Sequence, residues 1–299
     1  IGLKNQEMSK YYNLEDVDTR YPNDVAEEIV HLYQHCFPDT DASFILPLFN
    51  DVKGMFAGEY RNYQAMDTIY HDLEHTLQAT LCWVRLMTNR QLLKVEPVIT
   101  SKEFQIGLIG ILFHDVGYLK IREDKEGTGA KYTFVHERRS CEIVDIYLSD
   151  KEWNKRDIFA VQHLIGCTGP RSNINTIPFH DKAERLMGEA VCTADYIGQM
   201  SDYNYVQKLP ALYLEFEESD DYREIPKDNR LFKSKEELLT GTPYFWEQIV
   251  IPKLENNCGS LLYYLSDPYP DGRNPYIQKI EENVSKVREI CSSNGSNKA

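Results

Sequence analysis

Apolar residues recur every three or four positions along most of the chain, which is the period of an amphipathic α-helix. In the first such segment, which begins at Pro22, the side chains of Val25, Ile29 and Tyr33 share one face. Alternation of apolar and polar residues, the pattern of a half-buried strand, is scarce. The pattern therefore predicts an all-α fold.

Seven further long helices are predicted by the same periodicity. They span approximately residues 68–87, 104–113, 136–148, 153–167, 182–200, 244–265 and 275–291. The helix over 104–113 is apolar on nearly every side, which predicts a buried, central position. Ser234-Lys235-Glu236-Glu237 has the pattern of a capping box and predicts a short helix just before residue 244.

The part of the chain from 202 to 243 is rich in tyrosine, acidic residues and proline. It is either an insertion that shapes a substrate cleft or a long helix with flanking loops, and the second interpretation is the simpler one. The densest acidic run, 215–221, is expected to be a solvated face with no special role.

The composition limits the classes of partner. The formal net charge is −14, and no basic stripe is visible, so binding to duplex DNA is not expected. A small anionic substrate stays possible, because bound divalent cations would reverse the local charge. No apolar segment approaches the roughly 18 to 20 residues that cross a membrane. Seven cysteines without C-x-x-C pairs indicate reduced thiols and a cytoplasmic protein.

Five of the eight histidines and one aspartate form an ordered series of candidate metal ligands and catalytic groups: His71, His75, His114, His136, His163 and Asp195. His71 and His75 are four residues apart, so they are expected to share one helix face. His114-Asp115 ends the most buried predicted helix, where an ionised carboxylate needs a cation or a hydrogen-bonded partner. A lone His-Asp pair is common and by itself predicts only a helix end, but the whole series indicates a metal site.

Three motifs in this series carry a resemblance to a known superfamily. They are Phe113-His114-Asp115-Val116-Gly117-Tyr118, Ala194-Asp195-Tyr196-Ile197-Gly198 and Tyr70-His71-Asp72-Leu73-Glu74-His75-Thr76. Over about residues 65–200 the chain resembles the HD-domain metal-dependent phosphohydrolases, and the third motif is similar to the Tyr-His-Asn-x-x-His motif of cyclic-nucleotide phosphodiesterases. The resemblance implies an HD-domain-like helical bundle with a C-terminal helical extension.

The resemblance implies a ligand set and a mechanism. His75, His114, Asp115 and Asp195 are the four core ligands, and His136 and His163 stand where some members add two more. Two divalent ions (Mg, Mn, Fe or Zn) would then share Asp115 as a bridging, catalytically essential carboxylate and activate a water molecule. His71 would be the general acid, with Asp72 or Glu74 stabilising its charged form.

The substrate implied is a small phosphate ester of a nucleotide, most simply a cyclic-nucleotide phosphodiester. Lys120, Lys131, Arg138 and Arg139 lie near the motifs and are candidate contacts to the phosphate. Four domain segments follow: an N-terminal helical segment over 1–64, a catalytic core over 65–202, an extension that packs on the core over 203–291, and a disordered tail over 292–299.

Some positions depart from the phosphodiesterase pattern and keep alternatives open. Asp72 replaces the Asn, Tyr118 and Leu119 occupy the region of a further His, and Gln199 is poorly placed as the glutamine that grips a purine. The Gly-Tyr-Pro signature of bacterial cyclic-dinucleotide phosphodiesterases is absent. A nucleotidase, a nucleoside triphosphate hydrolase, a di-iron oxygenase with the same six ligands, and a degenerate binding module are the alternatives.

Overall fold

The computed structural model describes residues 14–169 and 172–296. Within these two ranges the chain forms helices and no β-strand, and two isolated bridges pair Tyr63 with Ile121 and Asp267 with Arg273. The predicted all-α fold is therefore confirmed. In the same part of the chain, no helix is both long enough and apolar enough to cross a membrane.

The α-helices follow one another in the order α1 Pro22–Cys36, α2 Ile45–Phe56, α3 Leu73–Leu92, α4 Ser101–Phe113, α5 His136–Asp150, α6 Lys155–Ile165, α7 Lys182–Met200, α8 Tyr205–Tyr222, α9 Lys235–Tyr244, α10 Ile251–Asn257 and α11 Pro275–Ser296. A π-helical turn, Phe245–Val250, joins α9 to α10. Short 3-10 turns lie at Leu14–Asp16, Val116–Tyr118, Gly129–Tyr132, Ile174–Thr176, Lys227–Asn229 and Leu261–Leu265.

Polar side chains at the N-termini determine where several helices begin. The Asp72 carboxylate accepts a hydrogen bond from the backbone amide of His75 and so caps α3. Thr100 and Glu103 form a reciprocal capping box at the start of α4. Ser234 caps α9, as its motif predicts, although the Glu237 carboxylate accepts from the amide of Lys233 rather than that of Ser234.

The cap at Asp72 changes the predicted position of His71. The helix predicted over 68–87 begins only at Leu73, so His71 precedes α3 and does not lie on its first turn. The predicted shared helix face of His71 and His75 is therefore wrong. The two rings nevertheless lie close, with centroids 5.4 Å apart, because the extended Asp72 residue turns the chain back towards the helix.

Two predictions near the C-terminus are also wrong. The single helix predicted over 244–265 is interrupted, because the π-helical turn precedes α10 and Ser260 adopts a left-handed conformation (φ 55°) before the turn Leu261–Leu265. The final helix α11 continues to Ser296, so the chain is helical where the predicted disordered tail begins at Ser292. Residues 297–299 lie outside the described residues.

Helices α3 and α7 form the centre of the bundle, and α4 is buried beside both. At their crossing, a Cβ on Gly198 would lie 2.8 Å from the Cα of Ala79, closer than two carbon atoms can approach. Only glycine allows this spacing, which brings the N-terminal half of α3 next to the C-terminal half of α7. The C-terminal helix α11 packs against α7 and α9.

Candidate metal centre

Four side chains from three helices converge in the centre of the bundle. His75 lies on the first turn of α3, His114 and Asp115 follow α4, and Asp195 projects from α7. The Asp115 Oδ2 atom is 3.2 Å from His75 Nε2 and 3.1 Å from His114 Nε2. The Asp195 Oδ1 atom is 3.6 Å and 3.5 Å from the same two nitrogens. All four side chains are buried.

Three of these buried atoms have no hydrogen-bond partner: His75 Nε2, His114 Nε2 and Asp115 Oδ2. The Nδ1 atom of His114 lies 2.7 Å from the carbonyl oxygen of Ile111 and donates a hydrogen bond to it, which leaves a lone pair on Nε2. Unpaired polar atoms in a protein interior are costly, and here they face one another across a small space. The arrangement fits a group that is bound by all of them.

The donor set and its dimensions fit a divalent cation. Two buried carboxylates carry a charge of −2, which one divalent ion neutralises. In a tetrahedral site with bonds of about 2.0 to 2.1 Å, neighbouring ligand atoms are roughly 3.4 Å apart, which is within the observed spread of distances. Imidazole and carboxylate ligands together suit first-row transition ions better than Mg²⁺ or Ca²⁺. His75, His114 and Asp195 could therefore hold a metal ion, with Asp115 beside them.

The electrostatics of the four residues lead to the same conclusion. Burial acts to lower the pKa of His75, but the carboxylates of Asp115 and Asp195 raise it to about 9. Burial acts to raise the pKa of Asp115, yet the neighbouring histidines hold it well below its usual range. The two ionised carboxylates must therefore be neutralised by positive charge. A bound cation supplies this charge, or, without a cation, protons on the imidazoles supply it.

A tight turn fixes the His114-Asp115 pair against the start of α5. A Cβ on Gly117 would overlap the carbonyl oxygen of His136, so the close approach requires glycine at this position. The Ser140 hydroxyl accepts from the amide of Gly117 at 2.8 Å and donates to the carbonyl of His114 at 2.6 Å. These contacts tie the pair to α5 and position His136 beside it.

His136 opens α5 and reaches the outer oxygen of Asp115. Its Nδ1 atom donates to the carbonyl of Thr133 at 2.7 Å, and its Nε2 atom lies 3.5 Å from Asp115 Oδ1. The predicted neighbourhood of His136 and the doublet is therefore present in the structure. Tyr118 stacks between His136 and His71, with ring centroids 4.6 Å and 4.7 Å away, and fills the region where the resemblance leads one to expect a further histidine.

His71 is oriented by a carboxylate that the sequence interpretation missed. Its Nδ1 atom lies 2.5 Å from Oε2 of Glu215 on α8, while the other oxygen of Glu215 accepts from the amides of Ile69 and Tyr70. Glu215 is only 3% exposed and Asp220 only 2%, so the expectation of a solvated acidic face over 215–221 is wrong at these two residues. Asp72 instead caps α3, and Glu74 pairs with Lys208.

Glu215 stays ionised in this environment. Burial acts to raise the pKa of Glu215, but the electrostatic attraction to His71, the hydrogen bond from its ring and the backbone amides of Tyr70 and His71 together lower it below the ordinary value. A carboxylate held in this way orients the His71 ring through Nδ1, which leaves Nε2 as the nitrogen on the cavity side.

His163 does not join the cluster, so the predicted six-ligand set is not assembled. Its Nδ1 atom bonds to Glu184 Oε1 at 2.6 Å, and Nδ1 of His180 bonds to the other oxygen of Glu184 at 2.8 Å. Glu184 precedes Asp195 by three turns of α7, which separates the two residues by about 16 Å. His163, His180 and Glu184 form a second group, called here the His-Glu-His triad.

The cationic residues predicted to contact phosphate have other partners. Lys120 pairs with Asp67, and Lys131 pairs with Asp124. Arg138 is largely exposed on α5 near Glu142. Arg139 donates to the carbonyls of Gly117 and Leu119 and supports the turn that follows Asp115. None of the four lines the cavity beside the metal cluster.

That cavity has a volume of about 620 Å³ and is bordered by His71, Asp115, His136 and Asp195. Gln199 also borders it, but its amide is already used: the oxygen accepts from the Tyr70 hydroxyl and the nitrogen donates to the carbonyl of Asp195. Gln199 thus supports the backbone of α7 at Asp195. Much of the remaining wall comes from α8, α9 and the π-helical turn, so 202–243 contributes both a long helix and part of the cleft.

Comparison with known proteins gives one family. The family model described as Npun_R2479-like matches residues 23–289, which is most of the chain, and the chain belongs to that family. No curated protein matches the sequence.

Proposed function

We propose that this member of the Npun_R2479-like family is a metal-dependent phosphohydrolase that cleaves a phosphate ester. The observation that carries the proposal is the convergence of three unpaired buried atoms, His75 Nε2, His114 Nε2 and Asp115 Oδ2, at the edge of a 620 Å³ cavity. With Asp195 they form a two-histidine, two-carboxylate set that suits a divalent transition ion. When bound, such an ion supplies Lewis acidity, which lowers the pKa of a coordinated water and neutralises charge on phosphoryl oxygens.

The side chains of the site perform the other functions in the proposed reaction, which are proton donation and orientation of the proton donor. His71 borders the cavity with Nδ1 bonded to Glu215, so in the proposed reaction its Nε2 atom is the proton donor to the ester oxygen as the phosphorus–oxygen bond breaks. Glu215 keeps the ring in orientation and balances its charge. Tyr118 packs flat against both His71 and His136, so neither ring can rotate out of place without losing that contact.

The geometry supports hydrolysis better than the oxygenase alternative. A di-iron oxygenase on this scaffold needs all six predicted ligands, and His163 lies in the separate His-Glu-His triad. His71, by contrast, has no function in the oxygenase scheme, but it borders the cavity together with Asp115 and is oriented by its bond to Glu215. We therefore propose one protein-held divalent ion and general-acid catalysis by His71.

The test begins with the full-length chain purified without metal additions. Elemental analysis is expected to find about one equivalent of Mn, Fe or Zn per chain after reconstitution. Hydrolysis of bis(p-nitrophenyl) phosphate is expected to vanish on chelation and to return with the same ion. A chain that binds no transition ion, or one whose hydrolysis is indifferent to chelation, would show that the proposal is wrong.

A further inference from the structure

The cavity beside the metal cluster is lined by two chemically different sets of side chains. One set comprises His71, Asp115 and Asp195. The other set, called here the apolar wall, comes from α8, from the segment before α9 and from the π-helical turn: Leu209, Leu212, Phe216, Phe232, Phe245 and Ile249. Since both sets border one cavity, the body attached to a phosphate at the metal cluster would be bound against the apolar wall.

The charges around the cavity do not suit a highly anionic substrate. Among its described lining residues there is neither lysine nor arginine, and Glu137 adds a carboxylate to those of Asp115 and Asp195. Nucleoside triphosphates carry several negative charges, which proteins usually neutralise with arginine, lysine or metal ions. One divalent ion balanced by two carboxylates leaves little positive charge to spare. A substrate with a single negative charge fits this site better.

The serine, threonine and glutamine groups that border the cavity are already used. The hydroxyl groups of Thr133, Thr168, Ser172 and Thr242 all donate to backbone carbonyls at 2.6 to 3.0 Å. The Gln199 amide is bonded to Tyr70 and Asp195. The remaining side-chain hydroxyls are those of the tyrosines, among them Tyr118, whose hydroxyl has no partner. A nucleoside would depend on these few groups for hydrogen bonds, whereas an apolar body needs none.

We infer that the substrate is an amphiphilic phosphodiester, in which a singly charged phosphate carries an alkyl or aryl body that packs against the apolar wall of the cavity. This inference rests on the proposed phosphohydrolase function. It replaces the nucleotide expected from the sequence with a lipid-like or aromatic ester, whose body is bound by burial of apolar surface rather than by hydrogen bonds.

Two substrates with one leaving group test the inference on the metal-loaded full-length chain. Methyl p-nitrophenyl phosphate and hexyl p-nitrophenyl phosphate have the same charge and the same scissile bond and differ only in five methylene groups. A fully buried methylene is expected to raise kcat/KM by roughly fourfold, and a partly buried one by about twofold, so the hexyl ester should exceed the methyl ester by between about 30-fold and roughly 1,000-fold. A 3′,5′-cyclic nucleotide and a nucleoside triphosphate should both be poorer than the hexyl ester.

A matched pair of variants on α8 locates the effect. Leu212 lines the cavity, whereas Leu214 lies on the solvent side of the same helix and is 49% exposed. Leu212→Gln should lower the hexyl-to-methyl ratio of kcat/KM by about tenfold or more, because it introduces an amide into the apolar wall. Leu214→Gln should leave the ratio unchanged. Equal losses in the two variants would place the apolar selectivity elsewhere and overturn the inference.

The possible outcomes distinguish a failure of the substrate inference from a failure of the proposed hydrolase function on which it rests. Equal hydrolysis of the methyl and hexyl esters, or a preference for the cyclic nucleotide, overturns the inference and leaves the hydrolase proposal standing. If no ester is cleaved by a metal-loaded chain, the hydrolase proposal fails. Calorimetry then compares the affinities for hexylphosphonate and methylphosphonate, which tests separately whether the cavity binds an apolar body. Tighter binding of hexylphosphonate supports an apolar site, and equal binding overturns it.

Discussion

The molecule contains two groups that each combine two histidines with carboxylate oxygens, and their hydrogen bonding differs. In the metal cluster, the Nε2 atoms of His75 and His114 face Asp115 at 3.1 to 3.2 Å without forming hydrogen bonds. In the His-Glu-His triad, both oxygens of Glu184 accept hydrogen bonds from imidazole nitrogens. The cluster is buried, while His180 is 39% exposed on its side chain.

This difference in hydrogen bonding shows how a metal site can be distinguished from a structural polar group when both contain the same residue types. A satisfied triad needs no ion, because each buried acceptor already has a donor. The cluster has lone pairs and carboxylates that face one another, an arrangement that is stable only when a cation or protons occupy the space between them. Closeness of ligand atoms alone does not distinguish the two, since both groups meet that criterion.

The largest expected effect follows from removing one carboxylate of the cluster. Asp195→Asn keeps the shape of the side chain but removes the charge that faces His75 and His114. Substitution of residues that merely orient metal ligands costs about 10- to 100-fold in metal affinity, so loss of a ligand charge should cost more than 100-fold. Elemental analysis after dialysis should find no bound ion, and phosphate-ester hydrolysis should disappear.

His163→Ala is the matched control for that experiment. It removes a histidine that the sequence also marks as a ligand but that lies in the triad. Metal content should stay at about one equivalent. If His163→Ala released the ion as readily as Asp195→Asn, the division into a metal cluster and a structural triad would be wrong.

The second prediction concerns His71, which is hydrogen-bonded like the triad but borders the cavity. His71→Ala should lower kcat by about 10²- to 10⁴-fold for an ester with a poor leaving group, because the proton donor is lost. Metal content should be unchanged, since the Nδ1 atom of His71 faces Glu215 rather than the cluster. A p-nitrophenyl ester, whose leaving group needs little protonation, should be much less affected. Loss of the ion would instead make His71 a ligand.

The third prediction concerns the stability of the triad. Glu184→Gln cannot accept from both His163 and His180 as the carboxylate does, and Glu184 is nearly fully buried. Hydrogen bonds to a charged group are worth about 1.5 to 3 kcal/mol, so a loss of about 2 kcal/mol in the free energy of unfolding is expected. Urea denaturation measures it. Arg156→Ala, which removes an exposed ion pair at the same helix start, should change stability far less.

The last prediction is a pH dependence whose sign changes with the ion, with an effect of on the order of 1 kcal/mol for each pH unit. Without a metal, the pKa of His75 is raised from 6.5 to about 9, so its stabilising contribution is complete below pH 6.5 and is lost as pH rises through 9. The free energy of unfolding should therefore fall between pH 7 and 9 by on the order of 1 kcal/mol per unit. With saturating metal the ligands must be deprotonated, so metal affinity should rise with pH. Parallel slopes in the two states would contradict an ion bound by His75.

The fold was predictable wherever one helix period extends between clear caps. The bounds predicted for α7 match the structure, and α4 begins three residues before its predicted start, at the Thr100 capping box. The predictions were wrong where a local signal outweighed the period. Asp72 caps α3 and excludes His71, and a π-helical turn with a left-handed Ser260 divides the segment 244–265.

The site was predictable only in part, because a ligand series does not encode distances between helices. His75, His114 and Asp195 are brought together and His136 lies beside Asp115, whereas His163 projects from α6 towards the start of α7. Glu215 was missed because it stands within an acidic run. Its one available signal was the spacing of three from Leu212, which puts a carboxylate on an otherwise apolar face of α8.

Helix α8 both positions His71 and lines the cavity, and this combination has a consequence for inhibitors. It carries Glu215, which anchors His71, and it also carries Leu212 and Phe216, which belong to the apolar wall of the cavity. An α-helix shifts largely as one body, so a bulky ligand that pushes this wall outward also withdraws the carboxylate from the imidazole. A displacement of about 1 Å would lengthen the bond of 2.5 Å to about 3.5 Å, at the limit of hydrogen bonding. Oversized compounds should therefore inactivate the proton donor from a distance without touching the ion.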